Sequence, residues 1–281
     1  MRVSVFGLGI IGSAWAENLV ADGIDVRCWN RTPKPLPGFY ALAEDAVEGS
    51  QFVIIVVSDP AAVQSVIDQI IPKLMRGQVV IQCSTISAKW SRLFAQQIAQ
   101  TGAEYLEAPF TGSKPAALER KTVFYVGGET SILESTRPLL ERLSSSILHV
   151  GPVGSAASLK LAMNINVAGV AQILCESISF ARAEGISDET YFSALKLNAS
   201  RSGISELKEP KLRKSDFTPQ FSIKHMAKDL GLALETGSED GIRLNCTNHL
   251  LTLYKNALSA GWGDDDFISL VRLINETDSA G

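Results

Sequence analysis

Paired cysteines, clustered histidines, long apolar runs and an excess of positive charge are all missing from this 281-residue chain. Cys28, Cys83, Cys175 and Cys246 stand far apart with no C-x-x-C pair, and His149, His225 and His249 are equally dispersed. That excludes zinc-type ligand spacing, and the scattered thiols fit a reducing compartment. The formal net charge of −4 argues against broad attraction to nucleic acid or to an anionic membrane surface. No uninterrupted apolar run reaches bilayer length, and the chain passes from Arg2 straight into a strand-like run, unlike a signal peptide. Internal repeats and low-complexity tracts are absent too. The expectation is a cytoplasmic protein with no nucleic-acid or membrane partner.

What is present is an ordinary globular composition, 46% hydrophobic and 20% charged, on a chain long enough for one large or two smaller domains. Short β-rich runs at 2–7, 25–30, 52–58, 78–84, 103–109, 122–128 and 146–151 alternate with helix-length segments. That alternation predicts βαβ units and a largely parallel sheet. Val53 to Val57 is continuously apolar, as in a strand covered on both faces. After Gly151 the pattern changes. Residues 155–184 lack proline and are rich in Ala, Leu, Ile and Asn up to Gly185, which predicts one helix of about eight turns. Further helices are expected after Ser187-Asp188-Glu189, around 222–236, around 243–260 and after Asp264-Asp265-Asp266. The stretch 200–220 mixes Gly, Pro, Ser and charges and reads as an ordered loop with short helical pieces. The fold class is therefore α/β: a Rossmann-type doubly wound parallel sheet over 1–152, then an all-helical domain over 153–281 with a long interdomain helix.

Gly7-Leu8-Gly9-Ile10-Ile11-Gly12 is a G-x-G-x-x-G run directly after the first strand and opening a helix. The first glycine permits the tight turn, the second lets backbone approach a pyrophosphate, and the third lets helix and strand pack closely. The following helix start offers free N–H groups and its positive dipole end to the phosphates. The end of the second strand bears on which dinucleotide this is. An Asp or Glu there would bond the adenosine ribose hydroxyls of NAD. Here Asn30, Arg31 and Thr32 stand instead, while Asp25 begins the strand. Arg31 can offer a planar cationic fork to a 2′-phosphate, with Asn30 and Thr32 adding neutral hydrogen bonds, which favours NADP(H). A solvated surface arginine is the other reading of Arg31.

Farther along, Lys160 and Asn164 are four residues apart and share a helical face among Leu159, Leu161, Ala162, Met163 and Ile165. A partly desolvated lysine has a lowered pKa and can exchange a proton near neutrality. A lysine snorkelling from a core helix has the same spacing. His225 reads as a structural hydrogen-bonder, as do His149 and His249, and Lys114, Arg120 and Lys121 read as exposed loop charges.

The pieces GLGIIG at 7–12, CST at 83–85, EAPFTGSKPA at 107–116, GSAASLKLAMN at 154–164 and FSIKHMAKDLGLAL at 221–234 span essentially the whole chain. In that order they resemble the β-hydroxyacid dehydrogenases, which include 3-hydroxyisobutyrate dehydrogenase, tartronate semialdehyde reductase and glyoxylate/succinic semialdehyde reductases. TGSKPA and F-x-x-K-H-x-x-K-D are most similar to the last of these. The resemblance implies a catalytic role for Lys160 with Asn164 as its helical partner. It implies cofactor contacts from Val57, Ser58, Thr85 and Lys228, beyond the glycine loop and the Asn30-Arg31-Thr32 turn. Thr111, Gly112 and Ser113 would cradle a substrate carboxylate, with Phe221 and Asp229 completing the wall. The implied reaction is NADPH-dependent reduction of a small carboxylate-bearing aldehyde, by a homodimer or homotetramer. Gln82, Ala88, Ala156 and the Glu119-Arg120-Lys121 turn depart from the family pattern. An imine reductase and a non-catalytic NADP(H)-sensing protein are the alternatives; imine reductases typically carry Asp or Tyr where Lys160 stands.

Overall fold

The computed structural model describes residues 1–34 and 36–275. The chain forms two compact units, Met1–Leu161 and a second from Ala162 onward. The pattern changes after Gly151, shortly before one long helix starts, whereas the unit boundary after Leu161 falls within that helix.

In chain order the first unit contains β1 (Arg2–Phe6), α1 (Ile10–Ala21), β2 (Asp25–Trp29), α2 (Ala43–Val47), β3 (Phe52–Ile55), α3 (Pro60–Ile70), β4 (Val79–Gln82), α4 (Ala88–Ala99) and β5 (Glu104–Glu107). It continues with β6 (Phe110–Thr111), α5 (Lys114–Leu118), β7 (Thr122–Gly127), α6 (Thr130–Leu140) and β8 (Ser144–Gly151). The strands order as β2-β1-β3-β4-β5-β7-β6, with β8 beside β7. The first five are parallel; β7 runs antiparallel to β5 and β6 and parallel to β8. Alternation along the apolar strands explains the double winding. Val3, Val5, Ile54, Val79 and Ile81 enter one core with Trp15 and Leu19 of α1. Phe6, Val53, Ile55 and Val80 enter the other, with Val63 and Ile67 of α3 and Phe94 of α4. Adjacent strand residues point to opposite faces, so one apolar run serves both layers.

Helix α7 (Ser155–Ala183) begins in the first unit and continues into the second. By length and composition it is apolar enough to cross a membrane, a property that counting uninterrupted apolar runs did not reveal. Ala168, Ala171, Cys175 and Ile178, at helical spacing, lie in the core of the second unit. That core is completed by α8 (Asp188–Leu197), α9 (Gly203–Lys214), α10 (Ile223–Glu239), α11 (Asn245–Ser259) and α12 (Val271–Asn275). Over 200–220, where an ordered loop with short helical pieces is expected, the twelve-residue α9 is longer than those pieces, with loop on either side of it. Its start is fixed by a capping box between Ser202 and Ser205, and Lys211, Arg213 and Lys214 complement the dipole of its last turn.

Candidate active site

The glycine loop is forced by sterics at two points. Gly7 has φ +100°, and a Cβ there would lie 2.2 Å from the Val56 carbonyl oxygen. A Cβ on Gly12 would lie 1.9 Å from the Gly7 carbonyl oxygen, so α1 can sit this close to the turn only with glycine there. Gly9 is different: nothing lies within 4 Å of where its Cβ would be. It is the N-cap residue of α1, and no side chain among the described residues caps that helix. The first N–H groups of α1 thus border open space at a positive helix end, which fits a dinucleotide pyrophosphate.

Residues just beyond β2 hold the loop in shape. The Asn30 side chain accepts the Leu8 N–H at 2.9 Å and donates to the Thr32 carbonyl at 2.7 Å. The Leu8 carbonyl accepts the Ser13 hydroxyl at 3.0 Å and the Lys34 ammonium. The Asn30 amide and the Leu8 backbone therefore also build the loop that the sequence assigns to the cofactor. Arg31 and Thr32 are exposed beside them. Lys34 is a loop-supporting cation that the sequence reading missed, although its place three residues after Arg31 was a usable signal.

The ends of β3 and β4 are clipped together. Val57 N–H donates to Ser84 Oγ at 2.8 Å, and the buried Gln82 brackets Ser84 by donating to its carbonyl at 2.9 Å and accepting its N–H. Half-buried Thr85 follows directly. A neutral amide can both donate and accept, as this clip requires. Ser58 donates to Asp59 at 2.6 Å, and Asp59 caps α3 by accepting the Ala62 N–H at 2.8 Å. Half-buried Thr111 ends β6, and exposed Gly112 and half-buried Ser113 lead into α5. Ser113 is the N-cap residue, but its hydroxyl makes no cap bond there.

The start of α7 is held by Glu107, a buried carboxylate at the end of β5 that the sequence reading did not single out. Its Oε1 accepts the N–H groups of Gly154 at 2.8 Å and Ala156 at 2.7 Å, and that of Ala157 at 3.4 Å. Oε2 accepts the Ser91 hydroxyl. Burial pushes the Glu107 pKa up, against the opposing pull of the Ser91 hydroxyl and the backbone N–H donors. Lys160, one turn beyond Ala156, is half-buried.

In the second unit Asn164, Lys228 and Asp229 come together. Asn164 Nδ2 donates to Asp229 Oδ2 at 2.5 Å, and the Lys228 ammonium lies 2.8 Å from Asp229 Oδ1. At 1% exposure Asp229 is buried beneath these two neighbours and bonds both. Phe221 is half-buried, its ring stacked on His225 with centroids 6.0 Å apart. His225 Nδ1 lies 2.6 Å from the Ser222 hydroxyl. His149 bonds the Gly128 carbonyl at 2.9 Å. Among the described residues no group of three or more His, Cys, Asp or Glu is placed to hold a metal ion.

Comparison with known proteins covers both halves of the chain. Residues 2–151 match the family model for the NAD-binding domain of 6-phosphogluconate dehydrogenase. Residues 154–274 match that for the NAD-binding domain of NADP-dependent 3-hydroxyisobutyrate dehydrogenase. The chain is 28% identical to glyoxylate/succinic semialdehyde reductase 1 of Arabidopsis thaliana, over 98% of each protein. It is also 28% identical to 2-hydroxy-3-oxopropionate reductase of Escherichia coli K12, over 98% of this chain and 97% of that one. Among solved structures it is similar to the Mycobacterium tuberculosis 3-hydroxyisobutyrate dehydrogenase with L-serine: TM-score 0.86, 25% identity, covering 97% of this chain and 98% of the other.

Proposed function

This chain belongs to the β-hydroxyacid dehydrogenase family of NAD(P)-dependent oxidoreductases, and from that premise we propose that it reduces a small carboxylate-bearing aldehyde to the hydroxy acid with NADPH. The aldehyde is of the glyoxylate or succinic semialdehyde type, which the relatives' names and the TGSKPA loop support. The open cradle at Gly9 and the first turn of α1 would hold the cofactor's pyrophosphate, and Arg31 its 2′-phosphate. No carboxylate stands from Asn30 to Lys34 to repel that phosphate. When bound, the nicotinamide supplies the hydride. Lys160 donates the proton to the carbonyl oxygen as negative charge gathers there, and its cation stabilises that charge more in the transition state than in the ground state. The Thr111 and Ser113 hydroxyls orient the substrate carboxylate. The single observation that carries this reading is Lys160, half-buried one turn into a helix whose start is anchored.

The test is NADPH oxidation over glyoxylate, succinic semialdehyde, tartronate semialdehyde and a cyclic imine, with NADH in parallel. Turnover of an aldehyde acid is expected, with a higher kcat/KM for NADPH than for NADH. Lys160→Ala should lower kcat by about 10²–10⁴-fold, the range for general acid catalysis, while NADPH binding holds. Preference for the imine would instead assign an imine reductase, and tight NADPH binding without any turnover a sensor. The same proposal includes a cytoplasmic location, supported by four unpaired cysteines, and assembly into a homodimer or homotetramer.

A further inference from the structure

We infer that Glu107 is a positioning residue for Lys160: from β5 its carboxylate holds the first turn of α7 and so sets where the lysine ammonium stands. The inference rests on the reading of Lys160 as proton donor. A helix start ordinarily satisfies its free N–H groups with a side chain at the cap. Here the residue at that place is Gly154, which has no side chain, and Glu107 serves from 47 positions earlier. One oxygen takes the N–H groups of Gly154 and Ala156, while the other is fixed by Ser91, whose hydroxyl lies 2.9 Å from Tyr105 Oη. Gly127, the register partner of Glu107 on β7, keeps the space clear: a Cβ there would lie 2.2 Å from Oε1.

Helical geometry places Lys160 about 6 Å along the axis from Ala156, at 1.5 Å per residue, and bonds its N–H to the Ala156 carbonyl. A shift of the anchored turn is therefore carried to Lys160 almost undiminished, and a misplacement of about 1 Å in a reacting group can cost about 10²-fold in rate. Fully buried, Glu107 cannot itself touch substrate or cofactor. Its part is reach, not charge.

That distinction gives the experiment. Glu107→Gln keeps the reach and an accepting oxygen but removes the charge; Glu107→Asp keeps the charge but draws the acceptor back by one methylene. Both are assayed with NADPH and the best aldehyde acid of the panel, beside the parent and Lys160→Ala, with thermal midpoints to establish folding. Glu107→Gln should keep kcat within about threefold. Glu107→Asp should lose on the order of tenfold or more in kcat, with KM and NADPH Kd unchanged. Its solvent deuterium isotope effect on kcat should rise, because proton delivery becomes limiting. Ser91→Ala, which frees only the second oxygen, should show the same signature more weakly, and decides the matter if the aspartate variant does not fold. An aspartate variant as active as the glutamine variant overturns the inference, as does a kcat loss without a change in isotope effect. Parental turnover by Lys160→Ala would remove the lysine reading itself, whatever the ranking at 107.

Discussion

His225 shows how a single side chain takes its charge state from its neighbours. Burial, then the nearby Lys228 ammonium, push its pKa below the ordinary value near 6.5, while Asp229 pulls the other way. The folded protein therefore binds this proton less readily than the unfolded chain does. The stability tied to the neutral ring is complete above about pH 6.5 and falls as pH drops toward the folded pKa. Thermal unfolding at about pH 7.5 and about pH 5.5 should show a larger fall in midpoint for the parent than for His225→Gln. Equal falls would show that the imidazole is not responsible. Single-residue roles were the least legible part of the sequence, because the deciding partners lie far along the chain. Arg120 was read as a loop charge. It instead sits at φ +60°, with its two terminal guanidinium nitrogens on Asp22, at 2.7 and 2.8 Å, and further bonds to the Asn18 and Arg142 carbonyls. Those bonds compensate a left-handed conformation that side chains rarely adopt. Asn30 was likewise legible as a polar residue at the right place, but not as the clamp on Leu8.

At the scale of elements, strongly periodic segments were legible and weakly patterned ones were not. Seven strands fall where apolar runs place them, and the long helix where a proline-free, Ala- and Leu-rich stretch does. The two-residue β6 is too short to carry a period, and α9 is hidden by Pro210 and a polar surface. What holds α9 in place is tertiary. Lys208 is fully buried, its ammonium 2.8 and 3.0 Å from the two Asp266 oxygens, 2.9 Å from Gln220 Oε1 and 4.4 Å from the Phe267 ring centroid. Asp266 also accepts the Gln220 N–H at 2.8 Å, so one carboxylate ties α9 to the segment entering α10. Replacing one partner of a buried pair leaves the other charge uncompensated, a loss of about 3–5 kcal/mol. Lys208→Met should destabilise the protein by about that much in urea unfolding, whereas a change under about 1 kcal/mol would mean that packing alone holds the helix.

For the whole molecule, the order of motifs carried the family because five spaced segments, each with its own geometric demand, must coincide. Assembly is written less directly, in the apolar groups that a single copy leaves in water. On the second unit Ile173 is 64% exposed, Phe180 69% and Leu197 91%. Ile173 also borders a groove of about 410 Å³ with Val170, Leu174, Tyr191 and Leu195. Single exposed apolar residues are common on monomers, but Ile173 and Phe180 lie two turns apart on the same helix. Covering each such side chain stabilises a complex by about 1.5–3 kcal/mol, so a second copy seated over both gains several kcal/mol before the cost of association. Sedimentation equilibrium at micromolar concentration should give twice or four times the chain mass for the parent. Ile173→Glu with Phe180→Glu should shift it to the single-chain mass while each copy stays folded by circular dichroism. A parent that sediments as one chain would show that these residues face solvent in the working protein, and that the site described above must operate within one copy.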